Sequence, residues 1–274
     1  MTRSPENWYN DLAAGYSWQQ RKSWYSSVAD AYNRVRPRYP QVLIDRAVEL
    51  AQLPTNAAIL EIGCGPGIAT VEFAKAGLAM VALEPSYEAY QLAQQNCRQY
   101  SNVEILNTTF EEWELEPKKF DAVVAATSWH WVSPDKYSKA AAALKDNGSL
   151  ILLWNTPPQP SYEVYQLLHQ VYQTHAPALA KYEDIDTHAA NLNRFAQEVL
   201  DSGKFKNLVS EQLTSEVTYT ITDYLTLLST LTPYIKLEPQ TRNLLFDTLE
   251  EVLVKNCQSM QLTLLSVLQF AQKR

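Results

Sequence analysis

Ile59-Leu60-Glu61-Ile62-Gly63-Cys64-Gly65-Pro66-Gly67-Ile68-Ala69-Thr70 is the stretch on which the reading of this chain turns. It opens as a short apolar run, places three glycines within five residues, and continues from Ile68 in a helix-forming pattern. That order predicts a buried strand, a tight turn and a helix start. Without a Cβ, glycine reaches positive φ and lets a ligand lie directly against the backbone. The helix behind the turn offers unpaired N–H groups at its positive end.

Two ligand classes use such a turn. A dinucleotide needs Gly-x-Gly-x-x-Gly with its pyrophosphate on the helix N-terminus. Here the glycines are Gly63, Gly65 and Gly67, and Ile68 stands where the third dinucleotide glycine belongs. Glu61 precedes the first glycine by two residues. The run resembles motif I of the class I S-adenosylmethionine (SAM) methyltransferases, acidic-x-Gly-x-Gly-x-Gly. The resemblance implies that Gly63, Cys64, Gly65 and Gly67 wrap the methionine part of SAM and that Glu61 helps hold its ammonium end.

The rest of the chain bounds what else is possible. At 274 residues, 46% hydrophobic and 19% charged, it has the composition of an ordinary globular protein, with room for one large domain carrying insertions. A net charge of −7 gives no support to a nucleic-acid partner. Basic residues gather early, at Arg21, Lys22, Arg34, Arg36 and Arg38, as a local anion contact or a solvated surface. Cys64, Cys97 and Cys257 form no CxxC, so neither a disulfide framework nor a zinc site is expected. The start, Met1-Thr2-Arg3-Ser4-Pro5-Glu6-Asn7, has no apolar signal core, and no run approaches the ~18 apolar residues of a membrane helix. The expectation is a cytoplasmic protein with no membrane partner.

Residues 1–39 are rich in aromatics (Trp8, Tyr9, Tyr16, Trp18, Trp24, Tyr25, Tyr32 and Tyr39), too many for a disordered tail. Residues 28–35 read as a short helix stopped by Pro37 and Pro40. The string from Ala31 to Pro40 resembles the segment that lies over the cofactor in many small-molecule SAM methyltransferases. That resemblance makes Tyr32 a candidate substrate contact; packing on the sheet as a scaffold is the other reading. Residues 40–53 form an amphipathic helix, 57–62 a first strand, 68–75 a helix and 79–83 a second strand.

Glu84, Pro85 and Ser86 follow that second strand at once. A carboxylate there can accept hydrogen bonds from two ribose hydroxyls, one per oxygen; a helix-start acid is the alternative. A helix over 86–99 leads to a third strand, 103–106. The segment Thr108-Thr109-Phe110-Glu111-Glu112-Trp113 resembles the family's adenine-recognition turn. This implies roles for Thr109 and Phe110, with plain core packing equally open for Phe110.

The fourth strand, 120–126, runs into Thr127-Ser128-Trp129-His130-Trp131. Ala126 and Thr127 are small enough to pack against a bound group. The Trp-His-Trp cluster resembles the acceptor-facing element of the trans-aconitate-type and related small-molecule methyltransferases. His130 would either orient or deprotonate the acceptor, or pack to hold the loop. Trp129 and Trp131, two apart, share a face on an extended stretch, and one of them could stack near the sulfonium. A helix over 134–145 and a fifth strand over 149–154 follow. Asn155-Thr156-Pro157-Pro158 reads as a turn.

Residues 156–205 hold two expected helices, 161–174 and 187–202, as a substrate lid or a structural appendage. His169 and His175, six apart, do not share a helical face, so no metal site is expected. A strand over 208–219, helices over 222–231 and 238–255, and a last strand over 260–271 complete the chain.

The expected fold is α/β: a Rossmann-like, doubly wound, seven-stranded, mostly parallel sheet with an antiparallel last strand and helical insertions. It would form a single domain over 1–274, with a core of about 28–155 and 206–274 and a helical lid over 156–205. Every motif falls at the carboxyl ends of strands, where such sheets bind ligands. The resemblance is to the small-molecule, type 11 or trans-aconitate-like, class I methyltransferases. It implies SAM as cofactor, a small-molecule methyl acceptor, and a monomer or homodimer. An NAD-dependent Rossmann oxidoreductase, a SAM-binding protein without turnover, and a nucleic-acid methyltransferase are the alternatives.

Overall fold

Alternation along the strands decides how the sheet is covered. A computed structural model describes the backbone of residues 18–274 and the side chains from residue 25 onward. Trp8, Tyr9 and Tyr16 lie outside the described residues, as do the side chains of Trp18, Arg21, Lys22 and Trp24. Strands β1 (Ala58–Ile62), β2 (Ala79–Leu83), β3 (Val103–Leu106), β4 (Phe120–Ala126) and β5 (Leu144–Asn155) pair in parallel in the order β3-β2-β1-β4-β5. Leu60, Val123 and Leu152 face one side, with Ala140 of α5 (Lys136–Ala143) and Leu192, Phe195 and Val199 of α7 (Ile185–Asp201). Ile59, Val124 and Ile151 face the other, against Ile44 of α2 (Gln41–Leu50) and Phe73 of α3 (Ile68–Lys75). Burial on both faces is why these strands read as unbroken apolar runs.

The chain leaves β1 toward β2 and β3, then crosses back to β4 on the other side of β1. That reversal is the switch point at which doubly wound sheets bind ligands. Beyond β5, the last strand β8 (Met260–Lys273) runs antiparallel, and β7 (Phe205–Tyr219) pairs antiparallel with it. An eighth strand joins the seven expected: β6 (Gln159–Pro160). Asn155 pairs with Ser266 and Gln159 with Thr263, so β6 continues β5 along the same edge of β8. Pro157 and Pro158 have no N–H for the ladder, and the strand breaks there.

Helix α1 (Trp18–Val35) begins well before residue 28, where the sequence reading placed it. No proline or glycine interrupts residues 18–35. Strand β5 also begins early, at Leu144, because α5 stops at Ala143. Its register jumps from Phe120–Leu144 to Ala122–Ser149, and Lys145 reaches the Asp121 carboxylate at 2.8 Å. Asp121 in turn accepts from the Ala58 N–H at 2.8 Å, so it pins this bulge to β1.

The 156–205 segment divides into two kinds of structure. Its second helix, α7, belongs to the main sheet core through Leu192, Phe195 and Val199. Its first, α6 (Tyr162–His175), joins a separate helical core with α8 (Ile221–Ser229) and α10 (Pro239–Asn256) through Leu168, Leu228 and Leu249. One further short helix, α9 (Thr232–Ile235), lies between α8 and α10. The remaining helix, α4 (Tyr87–Cys97), follows β2. No described helix is long and apolar enough to cross a membrane.

Candidate functional site

All three glycines of the turn have positive φ, +65° at Gly63, +57° at Gly65 and +84° at Gly67. A Cβ on Gly63 would lie 2.8 Å from Ser128 Cβ, so that glycine lets the loop after β4 pack against the turn. Ser128 Oγ donates to the Ile62 carbonyl and fixes that contact. A Cβ on Gly67 would meet Cys97 Sγ at 3.3 Å, so α3 and α4 approach closely there. A Cβ on Gly65 would meet nothing within 4 Å, and this residue lines the main cavity. The turn is therefore not plugged by side chains, and its middle glycine presents bare backbone to open space.

Glu84 is aimed at this turn. Its Oε2 accepts from Gly65 N–H at 2.8 Å and its Oε1 from Ser86 N–H at 2.7 Å. Glu84 and Pro85 both line the cavity, and Ser86 caps α4 through its hydroxyl, which accepts from Ala89 N–H.

Glu61 differs. It is 0% exposed and sits behind the turn rather than in the cavity wall. Thr70 Oγ1 donates to its Oε2 at 2.6 Å, while Oε1 is buried with no hydrogen-bond partner. Burial lifts its carboxyl pKa to about 7, the Thr70 bond opposes this, and the Glu84 charge adds to it. The expectation that Glu61 holds the ammonium end of SAM is therefore corrected: with no exposed surface and no place in the cavity wall, it braces the turn from behind through Thr70.

Thr109 lines the cavity, but its hydroxyl is already engaged. It accepts from Glu112 N–H at 3.0 Å, as a turn cap, and donates to the Glu112 carboxylate at 3.1 Å. Phe110 also lines the cavity while stacking on Trp113, so its two readings coexist. Lys139 Nζ ties the carbonyls of Phe110, Glu111 and Trp113 together at 2.6–3.0 Å and holds this turn under β3.

Ala126 and Thr127 end β4 in the cavity wall. Thr127 has φ +54°, an uncommon state for a β-branched residue. Its N–H donates to Leu153 O at 2.7 Å, and its hydroxyl meets Tyr39 OH at 2.7 Å. Asn155 Nδ2 donates to the carbonyls of Pro37 and Arg38, and Ser266 Oγ donates to its Oδ1. The 37–39 segment is thereby clamped to the ends of β4 and β5, with Ser266 of β8 holding Asn155, and Pro37 and Tyr39 line the cavity.

The expectation that Trp129 and Trp131 share a face is corrected by the backbone. Residues Trp129–Trp131 form a 3₁₀ turn, in which residues two apart point in different directions. Trp129 is 0% exposed, packs on Tyr137 and the Lys136 ammonium, and does not line the cavity. Trp131 does line it, edge-on to Tyr25. His130 lines it too, with its ring against Trp131, Trp154 and Phe195 at centroid distances of 4.7, 5.8 and 6.3 Å. Tyr32 lines the cavity beneath the Arg36 guanidinium.

The early basic residues serve as internal ties. Arg34 pairs with Asp223, Arg36 donates to Thr230 Oγ1 and O, and Arg38 donates to Asn33 O. Among the described residues no cluster could hold a metal ion, and the three cysteines are free.

One cavity of about 1160 Å³ joins these parts and continues under the helices beyond β6. Small-molecule sites commonly occupy roughly 300–1,000 Å³, so this space exceeds what a single ligand fills. Its far lining includes Tyr172, Asn191, His188 and Tyr224, none of which the sequence reading placed in a site. The available signal was a histidine on the apolar stripe of α7, in line with Asn191, Leu192 and Phe195.

The strand order, the glycine turn open at its centre and the acidic residue closing β2 are those of a Rossmann-like methyltransferase fold. Residues 59–148 match the methyltransferase domain family. An uncharacterized methyltransferase of Mycobacterium tuberculosis is 36% identical over 134 residues, 48% of this chain and 52% of that protein. A Dictyostelium discoideum protein whose methyltransferase designation is itself provisional is 30% identical over 129 residues, 47% of each chain. The chain thus spans about half the length of the curated relatives it matches. A solved structure from Anaeromyxobacter dehalogenans, provisionally a type II methyltransferase, superposes with a TM-score of 0.62 at 18% identity. It covers 87% of this chain and 97% of its own, a likeness of fold. The family match ends at residue 148, before the helices that roof the far cavity.

Proposed function

We propose that this chain is a SAM-dependent methyltransferase acting on a small, partly apolar acceptor. The observation that carries the reading is the continuity of one cavity from the bare backbone of Gly65 and the Glu84 carboxylate to His130, Trp131 and the helical roof. When bound, SAM supplies a methyl group already activated on a cationic sulfur. Glu84 would accept from the ribose hydroxyls, and Thr109 and Phe110 would border the adenine, while Glu61 supports the turn from behind. The chain's remaining task is to hold the acceptor in line and exclude water. Trp131, Tyr25 and the clamped 37–39 segment wall off that space. His130, packed on three aromatic rings, orients the acceptor or takes its proton.

The Trp-His-Trp element supports the small-molecule, trans-aconitate-like subfamily, and the net charge of −7 supports a metabolite over a nucleic acid. Incubation with methyl-labelled SAM and a fractionated metabolite extract tests this. Label is expected in a low-molecular-weight product with stoichiometric S-adenosylhomocysteine (SAH). Label confined to nucleic acid or protein, or no turnover across all fractions, contradicts it.

A further inference from the structure

His188 is the least satisfied polar side chain in the cavity wall. It is 2% exposed, and neither Nδ1 nor Nε2 has a hydrogen-bond partner. A buried polar atom left unpaired carries its full desolvation penalty. Here one ring carries two such atoms, in a residue that lines the cavity.

The charged groups around it are already engaged. Asp184 caps α7, accepting from Thr187 N–H at 2.8 Å, and Glu183 pairs with Lys181 at 3.0 Å. Burial holds the imidazole pKa below its ordinary value despite those two acids, while Lys181 lowers it further. The ring is therefore neutral at neutral pH, with one nitrogen donating and the other accepting. Asn191, one turn along α7, is also buried in the cavity wall. Its Oδ1 is taken by Arg194, which leaves its NH₂ for a ligand. Further along the same face, Phe195 packs on His130. At 1.5 Å per residue, His188 lies roughly 10 Å along the helix from that contact. A small molecule spans that distance.

We propose that His188, seconded by the Asn191 amide, is the polar anchor of the acceptor subsite and binds a hydroxyl group of an uncharged, largely apolar molecule. A hydroxyl can donate to the accepting nitrogen or accept from the N–H, so it pairs with whichever nitrogen meets the ligand. A carboxylate would add a negative charge beside Glu183 and Asp184, and an ammonium can donate to the accepting nitrogen but cannot accept from the N–H. That the bound molecule is a methyl acceptor rests on the function proposed above; the site itself does not.

The test is an NMR titration of the intact protein, following the imidazole carbon–proton signals. The chain has four histidines, and His188→Gln assigns the one of interest. Phenol is the probe, with benzoate and benzylamine as charged controls, each with and without SAH. Phenol is expected to shift the His188 signal saturably and ahead of both controls. His188→Gln is expected to weaken phenol about tenfold, with SAH affinity unchanged within about twofold. A His188 signal unmoved by phenol overturns the proposal, as does benzoate binding as tightly as phenol. The wild-type signal decides the matter even where the variant folds poorly. Absence of SAH binding refutes the cofactor reading alone, because the titration without SAH still tests the anchor.

Discussion

Gly63, Gly65 and Gly67 share the sign of φ but serve different neighbours, and this separates stability from binding. Gly63→Ala drives a Cβ into Ser128 and is expected to cost roughly 1–3 kcal/mol of stability, measured by denaturant unfolding. Gly65→Ala meets no atom and pays only for φ, about 1–2 kcal/mol, yet is expected to lose SAH affinity by more than about tenfold. Equal SAH affinity in Gly65→Ala and wild type removes the turn from the site. Glu61 adds a pH dependence. Its folded pKa of about 7 exceeds the ordinary 4.5, so the folded state keeps a proton that the unfolded chain releases. Stability therefore falls as pH rises from about 4.5 to about 7, by roughly 3 kcal/mol, and Glu61→Gln is expected to flatten that slope.

At the scale of elements, the 3₁₀ turn after β4 sorts its two tryptophans. Trp129→Ala is expected to cost about 3–5 kcal/mol in thermal or denaturant unfolding, as for a fully buried large side chain. Trp131→Ala is expected to leave stability nearly unchanged while altering turnover; the reverse outcome contradicts the geometry. The break between β5 and β6 serves the site through Asn155, and Asn155→Ala is expected to cost roughly 1–3 kcal/mol in denaturant unfolding by leaving the Pro37 and Arg38 carbonyls and the Ser266 hydroxyl without it. The bounds of β2, β3, β4 and α3 were legible because burial on both sheet faces writes unbroken apolar runs between turn residues. The start of β5 was not, because Leu144 leaves the helix for a bulge held by Asp121 and Lys145, a partnership between distant segments. The glycine turn and Glu84 were visible from spacing alone. The pointing of Trp129 and Trp131 depended on a local twist that spacing does not carry. His188 looked like any helix residue until the cavity beside it was seen.

Across the whole molecule, the sheet's switch point supplies one half of the cavity and the helices after β6 supply the other. The first half falls largely within the family match and the second beyond it. Replacing His130 by alanine is expected to lower the methyl-transfer rate more than SAM affinity; equal turnover in the two proteins assigns it a packing role. The direct test is calorimetric titration of SAH and of NADH into wild type and Glu84→Ala. SAH is expected to bind wild type and to lose about 1–3 kcal/mol in Glu84→Ala, with no heat from NADH. Saturable NADH binding, or SAH binding equally to both proteins, contradicts a SAM site built on Gly65 and Glu84.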